Sequence, residues 1–321
     1  MGQHQELFGL DAELPETNAS GAPSTNRINS DSQGYGYSYD SAGNMTTGMG
    51  QSYSYDGANR LKTASGGTSS YSYEGDGKRL KKTENGTTTY YVYSSKLGQS
   101  VMEVNASSVQ RAYVYSGSKL VAMQATDGQF YWLHTNHLGN SRAMTDANGN
   151  LTYKGQFDPY GTTLTEWSGS GNTNLNSKKF TGYERDSATG LDYANARMYN
   201  SARGRFMTPD PIGLKAASKR KPLTLNLYSY VHNDPVNFVD PSGTCIVYWY
   251  RVNETYGYWD TILCRNEDRE VFQPELPPVD QGGGSQQTQA IDKTAEASNI
   301  LGQFMGDSPV RCKVPRTWFR L

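Results

Sequence analysis

Two short units in this chain put the same reactive group in the same setting: Asp210-Pro-Ile-Gly213 and Asp240-Pro-Ser-Gly243. Each begins with a carboxylate, and both lie in a dense block, Thr181 to Gly243, that ends where the composition changes. Two carboxylates held close together cannot both ionise cheaply, so they share a proton, and one serves as base while the other serves as acid. A duplicated carboxylate beside a compositional boundary points to chemistry on the chain itself, where the reacting bond is already held in place. The bland alternative is that both aspartates only start turns; Asp158 and Asp234 also precede proline, and Asp-Pro is a common turn opening.

Other reactive residues offer less. His134 and His137 stand in a His-x-x-His spacing without a third ligand at useful distance, so packing is the expected role, and neither a metal nor another cofactor is expected. The segment Cys245 to Leu321 contains no histidine, which removes zinc deaminases of the His-x-Glu type and nucleases with a histidine base. Glu267, Asp268 and Glu270 read as a solvated loop. Pro277-Pro278 and Gly282-Gly283-Gly284 leave little core for an enzyme, so no toxin active site is read in this tail. Cys245, Cys264 and Cys312 all lie there; one disulfide plus one thiol and three thiols are both compatible with the sequence, so the redox compartment stays open.

The elements that must position the aspartates are β-strands. Only 35% of the 321 residues are hydrophobic, yet there are 24 Tyr and 34 Gly, a mix too aromatic for a disordered chain and poorly suited to helices. A net charge of -1 gives no electrostatic footprint for nucleic acid. No stretch approaches the roughly 18 apolar residues of a membrane helix, and no signal peptide is visible in the first thirty residues.

A repeat begins at Tyr37-Ser-Tyr39-Asp40 and returns at Tyr53-Ser-Tyr55-Asp56 and Tyr71-Ser-Tyr73-Glu74, with weaker copies at Tyr91-Val-Tyr93 and Tyr113-Val-Tyr115. Tyr-x-Tyr sets two rings on one face of a strand, and the following Asp-Gly or Asp-x-x-Gly supplies a tight turn. One copy therefore reads as one hairpin. A lone hairpin is marginal, so the copies are expected to join in a longer sheet. Lys78 to Lys82 is expected to pair with Thr87 to Tyr93 across Asn85-Gly86. Gly169 to Ser177 reads as a loop, Ser187 to Tyr199 as containing a short helix, Cys245 to Trp259 as strand-like, and Ala290 to Met305 as weakly helical.

The repeats, His137-Leu138-Gly139 with Arg142, Phe157-Asp158-Pro159-Tyr160-Gly161 and the block to Gly243 together resemble the rearrangement-hotspot (Rhs) or YD-repeat family, over Tyr35 to Gly243. The resemblance implies an all-β fold: YD-repeat hairpins forming part of a spiralling, cocoon-like sheet that ends in a core plug. It divides the chain into a polar linker or severed repeat at 1–34, YD-repeat sheet at 35–165, a repeat-associated core at 166–244, and a variable extension at 245–321 with a Pro/Gly linker near 274–289.

By the same resemblance, the protein would be the C-terminal fragment of a shell of the polymorphic-toxin or toxin-complex type. It would encapsulate its C-terminal segment and release it through a self-processing aspartic endopeptidase. The two carboxylates would be Asp210 and Asp240, Arg197 the supporting cation, and Thr244–Cys245 the scissile bond. Position 244 is Thr where cleaving members carry Leu or Met, and the connection Lys215 to Thr224 is longer than the family's usual link. About five repeat copies are too few for a closed shell, so the remaining wall is expected from an upstream segment or a partner chain. Secretion machinery and an immunity protein are further expected partners. Secretion or surface display is the expected fate, with a cytoplasmic stage before export. The competing reading is a non-enzymatic adhesion or carbohydrate-binding module.

Overall fold

A computed structural model describes residues 26–170, 175–216, 222–251 and 257–263. The chain divides into two compact units, Met1–Glu270 and Val271–Leu321, and every described residue lies in the first. The expected linker near 274–289 and the helical segment from Ala290 to Met305 fall outside the described residues, as do Cys264 and Cys312. Among the described residues there is no α-helix, and no helix long and apolar enough to cross a membrane.

The tyrosine repeats build a sheet of 14 described strands in strict sequence order, from Ser38–Tyr39 to Thr163–Ser168, with every neighbouring pair antiparallel. Arg79–Glu84 pairs with Thr87–Tyr93 as the sequence predicts. Asn85 and Gly86 both take positive φ, 48° and 80°, the conformation a two-residue hairpin turn requires. Both rings of each Tyr-x-Tyr face the same side. The first of each pair, Tyr37, Tyr53, Tyr71, Tyr91 and Tyr113, is buried.

The second tyrosine solves a polar problem. Its phenol donates to a backbone carbonyl of the preceding repeat: Tyr55 to Met45 (2.8 Å), Tyr73 to Leu61 (2.8 Å), Tyr93 to Arg79 (3.1 Å) and Tyr115 to Ser100 (3.0 Å). The strand register shifts at that same tyrosine in several copies, for example between Ser54 and Tyr55 and between Val92 and Tyr93. A bulge there tightens the twist before the turn. The repeat thus encodes an apolar layer and the hydrogen bonds that stitch one copy to the next.

A smaller four-stranded sheet, Glu184–Arg185, Asp192–Ala194, Arg197–Asn200 and Arg205–Phe206, packs around Phe180, Tyr183, Tyr199, Phe206 and Tyr230. The short helix expected between Ser187 and Tyr199 is instead a hairpin, with Asp192 opposite Tyr199 and Ala194 opposite Arg197. Gly190 (φ 71°) and Asn195 (φ 60°) adopt left-handed backbone, which a helix interior excludes and tight turns use. A third sheet pairs Phe238–Val239 with Ile246–Arg251 and Gly257–Leu263, so the run after Cys245 does form strands.

The large sheet and the core are joined by a buried ionic cluster. The Arg79 guanidinium, fully buried, donates twice to Asp186 (2.8 and 3.0 Å) and lies 3.0 Å from Glu184, while its backbone N–H donates to the Tyr193 phenol. Its guanidinium also stands over the Tyr193 ring at 4.3 Å and the Tyr91 ring at 5.1 Å. Lys82 bridges Glu184 and Asp186 at 3.0 and 2.9 Å. Burial opposes charge on Glu184, but Lys82, Arg79 and Lys178 outweigh it and hold the carboxyl well below the usual range.

Candidate functional site

Three turns and one strand bring the predicted residues together. Asp210 follows the strand Arg205–Phe206, and its carboxylate accepts the Ile212 N–H (2.9 Å) while its carbonyl accepts the Gly213 N–H (2.8 Å). Asp240 follows Phe238–Val239 in the same kind of Asp-x-x-Gly turn. Asp40, Asp146 and Asp158 head the same turn within the repeats, so this geometry alone carries no special chemistry.

What distinguishes Asp210 and Asp240 is their shared partner. Arg197, on the strand Arg197–Asn200, points Nη2 at both: 3.1 Å to Asp210 Oδ2 and 3.3 Å to Asp240 Oδ2. The rest of the guanidinium is fixed by backbone, with Nη1 donating to the Leu227 carbonyl (3.0 Å) and Nε to the Gly243 carbonyl. Its carbon lies 3.5 Å from the centre of the Phe206 ring. With one oxygen of each carboxylate against a single nitrogen, the two aspartates are near neighbours.

The other oxygen of Asp240 reaches the predicted scissile bond. Asp240 Oδ1 accepts the N–H of Thr244 (3.0 Å) and that of Cys245 (2.9 Å). The Cys245 nitrogen is the amide nitrogen of the Thr244–Cys245 bond. Thr244 Oγ1 hydrogen-bonds Ser242 Oγ at 2.9 Å. Cys245 is disulfide-bonded, which decides for this residue a question the sequence leaves open. All five predicted residues, Arg197, Asp210, Asp240, Thr244 and Cys245, therefore meet.

Electrostatics separate the two carboxylates. Asp240 is 2% exposed, and burial pushes its carboxyl above the ordinary 3.8 despite the opposing pull of Arg197 and the two backbone amides. The Asp210 side chain is more open, at 19% exposure. Burial also lowers the pKa of Arg197, against the attraction of Asp210 and Asp240. One guanidinium thus stands between a buried carboxylate and a partly exposed one.

A cavity opens beside these groups, bounded by Arg197, Asp210, Asp240 and Thr244 with Leu227 and Val231. Several contributors were not legible in the sequence. Leu227 acts through its carbonyl, and the Tyr183 phenol donates to the Asp240 carbonyl from the aromatic core. Val231 and His232 at the cavity wall, and Asn233 after them, are consecutive residues with positive φ (42°, 56° and 63°), a costly conformation for a β-branched valine. His134 and His137 lie elsewhere: His134 Nε2 pairs with the Thr145 hydroxyl (3.0 Å) and His137 Nε2 with the Val236 carbonyl (3.2 Å). Among the described residues no cluster of metal-binding side chains is present.

Comparison with known proteins agrees with this architecture. The family described as the Teneurin YD-shell matches residues 24–236, so Arg197 and Asp210 fall inside the match and Asp240 just beyond it. The chain is 32% identical over 193 residues to the tRNA3(Ser)-specific nuclease WapA of Bacillus spizizenii, covering 60% of this chain and 8% of that protein. It is 30% identical over 136 residues to Toxin subunit YenC2 of Yersinia entomophaga, covering 42% of this chain and 13% of the relative. The crystal structure of TcdB2-TccC3-TEV superposes with a TM-score of 0.50 at 24% identity, covering 64% of this chain and 11% of that one, which shows a shared fold. The chain thus spans only a small part of the length of these relatives.

Proposed function

Since the chain belongs to the Teneurin YD-shell family, we propose that it is the closing end of a toxin-type shell that cuts its own backbone at Thr244–Cys245 to free its C-terminal segment. In this reading residues 35–165 are shell wall, 166–244 the core plug, and 245–321 the released extension. The relatives named as a nuclease and as a toxin subunit support the toxin-type assignment. The rest of the wall comes from an upstream segment or a partner chain, and export machinery and an immunity protein complete the set of partners. The protein acts after secretion or at the cell surface.

The observation that carries the proposal is the position of Asp240: Oδ2 on Arg197 beside Asp210, and Oδ1 on the N–H of Cys245. Asp210, in the role of base, takes a proton from a water as the water oxygen bonds to the Thr244 carbonyl carbon. The carbon–nitrogen bond then breaks, and protonated Asp240 delivers its proton to the departing nitrogen of Cys245. The dyad ends with the same number of protons, now exchanged between its members. Arg197 holds the carboxylates together through the exchange, and its Nε bond to the Gly243 carbonyl steadies the chain entering the bond.

The test is the intact mass of the expressed chain beside its Asp210→Asn and Asp240→Asn variants. The wild type separates into fragments ending at Thr244 and starting at Cys245, while both variants remain at 35.5 kDa. A wild type that persists uncut at 35.5 kDa, with the dyad variants indistinguishable from it, ends the self-cleavage proposal.

A further inference from the structure

The outward face of the large sheet changes character halfway along. The inward residues keep one pattern throughout, with the first tyrosine of each pair buried from Tyr37 to Tyr113 and Tyr39, Tyr55, Tyr73 and Tyr115 partly buried on the same side. The residue between each pair of tyrosines points the other way. That residue is Ser38, Ser54 and Ser72 in the first three copies, then Val92 and Val114 in the next two; Trp132 holds the equivalent place between Tyr131 and Leu133.

The cross-strand partners change with it. In the first half, Ser54 faces Thr63, which faces Ser70, and the Ser54 and Thr63 hydroxyls lie 2.6 Å apart. In the second half Val92 faces Met102, which faces Ala112. Val114 likewise faces Ala122, which faces Trp132. Neither of these two rows contains a charge.

An antiparallel sheet with one face in the core ordinarily turns a polar face to water, as the serine half does. In the valine half these two outward rows are apolar instead. Tyr90, Val92, Val114, Phe130 and Trp132 are 42–45% exposed. Together they amount to on the order of 400 Å², comparable to the largest patch an isolated monomer leaves bare and about half of the ~800 Å² a standard interface takes from each partner. The fold does not require this change, because the same inward tyrosines are carried by serine in the earlier copies.

We propose that the outward face spanning Thr87–Tyr93 to Phe130–Thr135 is a self-association surface on which a second copy of this chain packs, sheet against sheet. A two-fold contact sets a patch against its own image, so it must be self-complementary. An uncharged apolar row meets that condition, whereas a row bearing one sign of charge would repel itself. Two sheets of this kind stack about 10 Å apart with their strands within roughly 30° of alignment, interleaving the valines and aromatics. This contact lies on the sheet's outer side and does not depend on cleavage at Thr244.

The test is light scattering on the full chain across a dilution series. Every chain in the series carries Asp240→Asn, which leaves it uncut, and the chain otherwise of wild-type sequence, called wild type here, weighs twice 35.5 kDa at the concentrated end and falls toward 35.5 kDa on dilution. Val114→Glu with Trp132→Glu stays at the single-chain mass, with unchanged far-ultraviolet circular dichroism and thermal midpoint. Ser54→Glu with Ser72→Glu, on the same face but in the serine half, associates as the wild type does. A wild type that is monomeric throughout overturns the proposal, as does undiminished association of the Val114/Trp132 variant. A monomer whose tryptophan fluorescence responds to a soluble oligosaccharide assigns the face to a sugar and equally overturns it.

Discussion

Arg79→Met removes one cation from the cluster that fastens the core to the repeat sheet. The side chain is fully buried and makes two bonds to Asp186 and one ionic contact to Glu184, under the rings of Tyr193 and Tyr91. Burial disfavours the charge, yet Asp186, Tyr91 and Glu184 more than offset it and raise the pKa well above the ordinary arginine value. Methionine keeps much of the apolar stem but leaves two buried carboxylates with Lys82 and Lys178 as cations. Breaking one member of a buried ionic group costs about 3–5 kcal/mol, and the surviving lysines place this case at about 3. At roughly 2–4 °C per kcal/mol for a unit of this size, the thermal midpoint drops by about 6–12 °C. Guanidinium unfolding followed by circular dichroism measures the change, and a double-mutant cycle with Asp186→Asn isolates the pair. The coupling should exceed about 1 kcal/mol, because Asp186→Asn alone leaves Arg79 with Glu184 as its one carboxylate, whereas the double variant removes both members of the pair. A drop of less than about 2 °C for Arg79→Met, with additive single and double effects, would refute the assignment of this cluster as the fastening between sheet and core.

Two further outcomes follow from the site. Burial raises the Asp240 carboxyl above 3.8, so the folded chain keeps a proton that the unfolded chain releases; that stabilisation is complete below 3.8 and disappears as pH rises through the raised folded value. Denaturant midpoints of the wild type should therefore fall with rising pH in the acid window just above 3.8, and Asp240→Asn should lack that part of the slope. Gly243→Ala puts a Cβ 2.3 Å from the Ala194 carbonyl oxygen at φ 72°, so the turn must open. The expected loss is at least about 2 kcal/mol by chemical denaturation, together with loss of cleavage at Thr244; an alanine variant as stable as the wild type contradicts the close packing of this turn on the strand Asp192–Ala194.

The repeat half of the fold was readable because its information is local. Tyr-x-Tyr followed by Asp-x-x-Gly states a strand, its buried face and its turn within eight residues, and Asn85-Gly86 states a hairpin in two. The segment from Ser187 to Tyr199 misled for the opposite reason. Its composition permits a helix, and only pairing of Asp192 with Tyr199, plus left-handed Gly190 and Asn195, makes it a hairpin. Arg79 was equally hidden: beside Lys78 and Lys81 it reads as one more solvated charge, since Glu184 and Asp186 arrive about a hundred residues later in the chain.

The sequence by itself determined the class of this protein. Local alternation, turn residues and the duplicated Asp-Pro-x-Gly units lead to an all-β chain with Asp210 and Asp240 as the residues to watch, and the resemblance to the YD-repeat family adds the shell and Arg197. Tertiary structure decided what separates those two aspartates from Asp40, Asp146 and Asp158, which head the same turn. A turn's hydrogen bonds are set by its own few residues, whereas convergence on one Arg197 nitrogen, burial of Asp240 and contact with the Cys245 amide require three distant segments to meet. The outward face shows the same division: the change from serine to valine is written in the repeats, but its exposure exists only once the strands are paired.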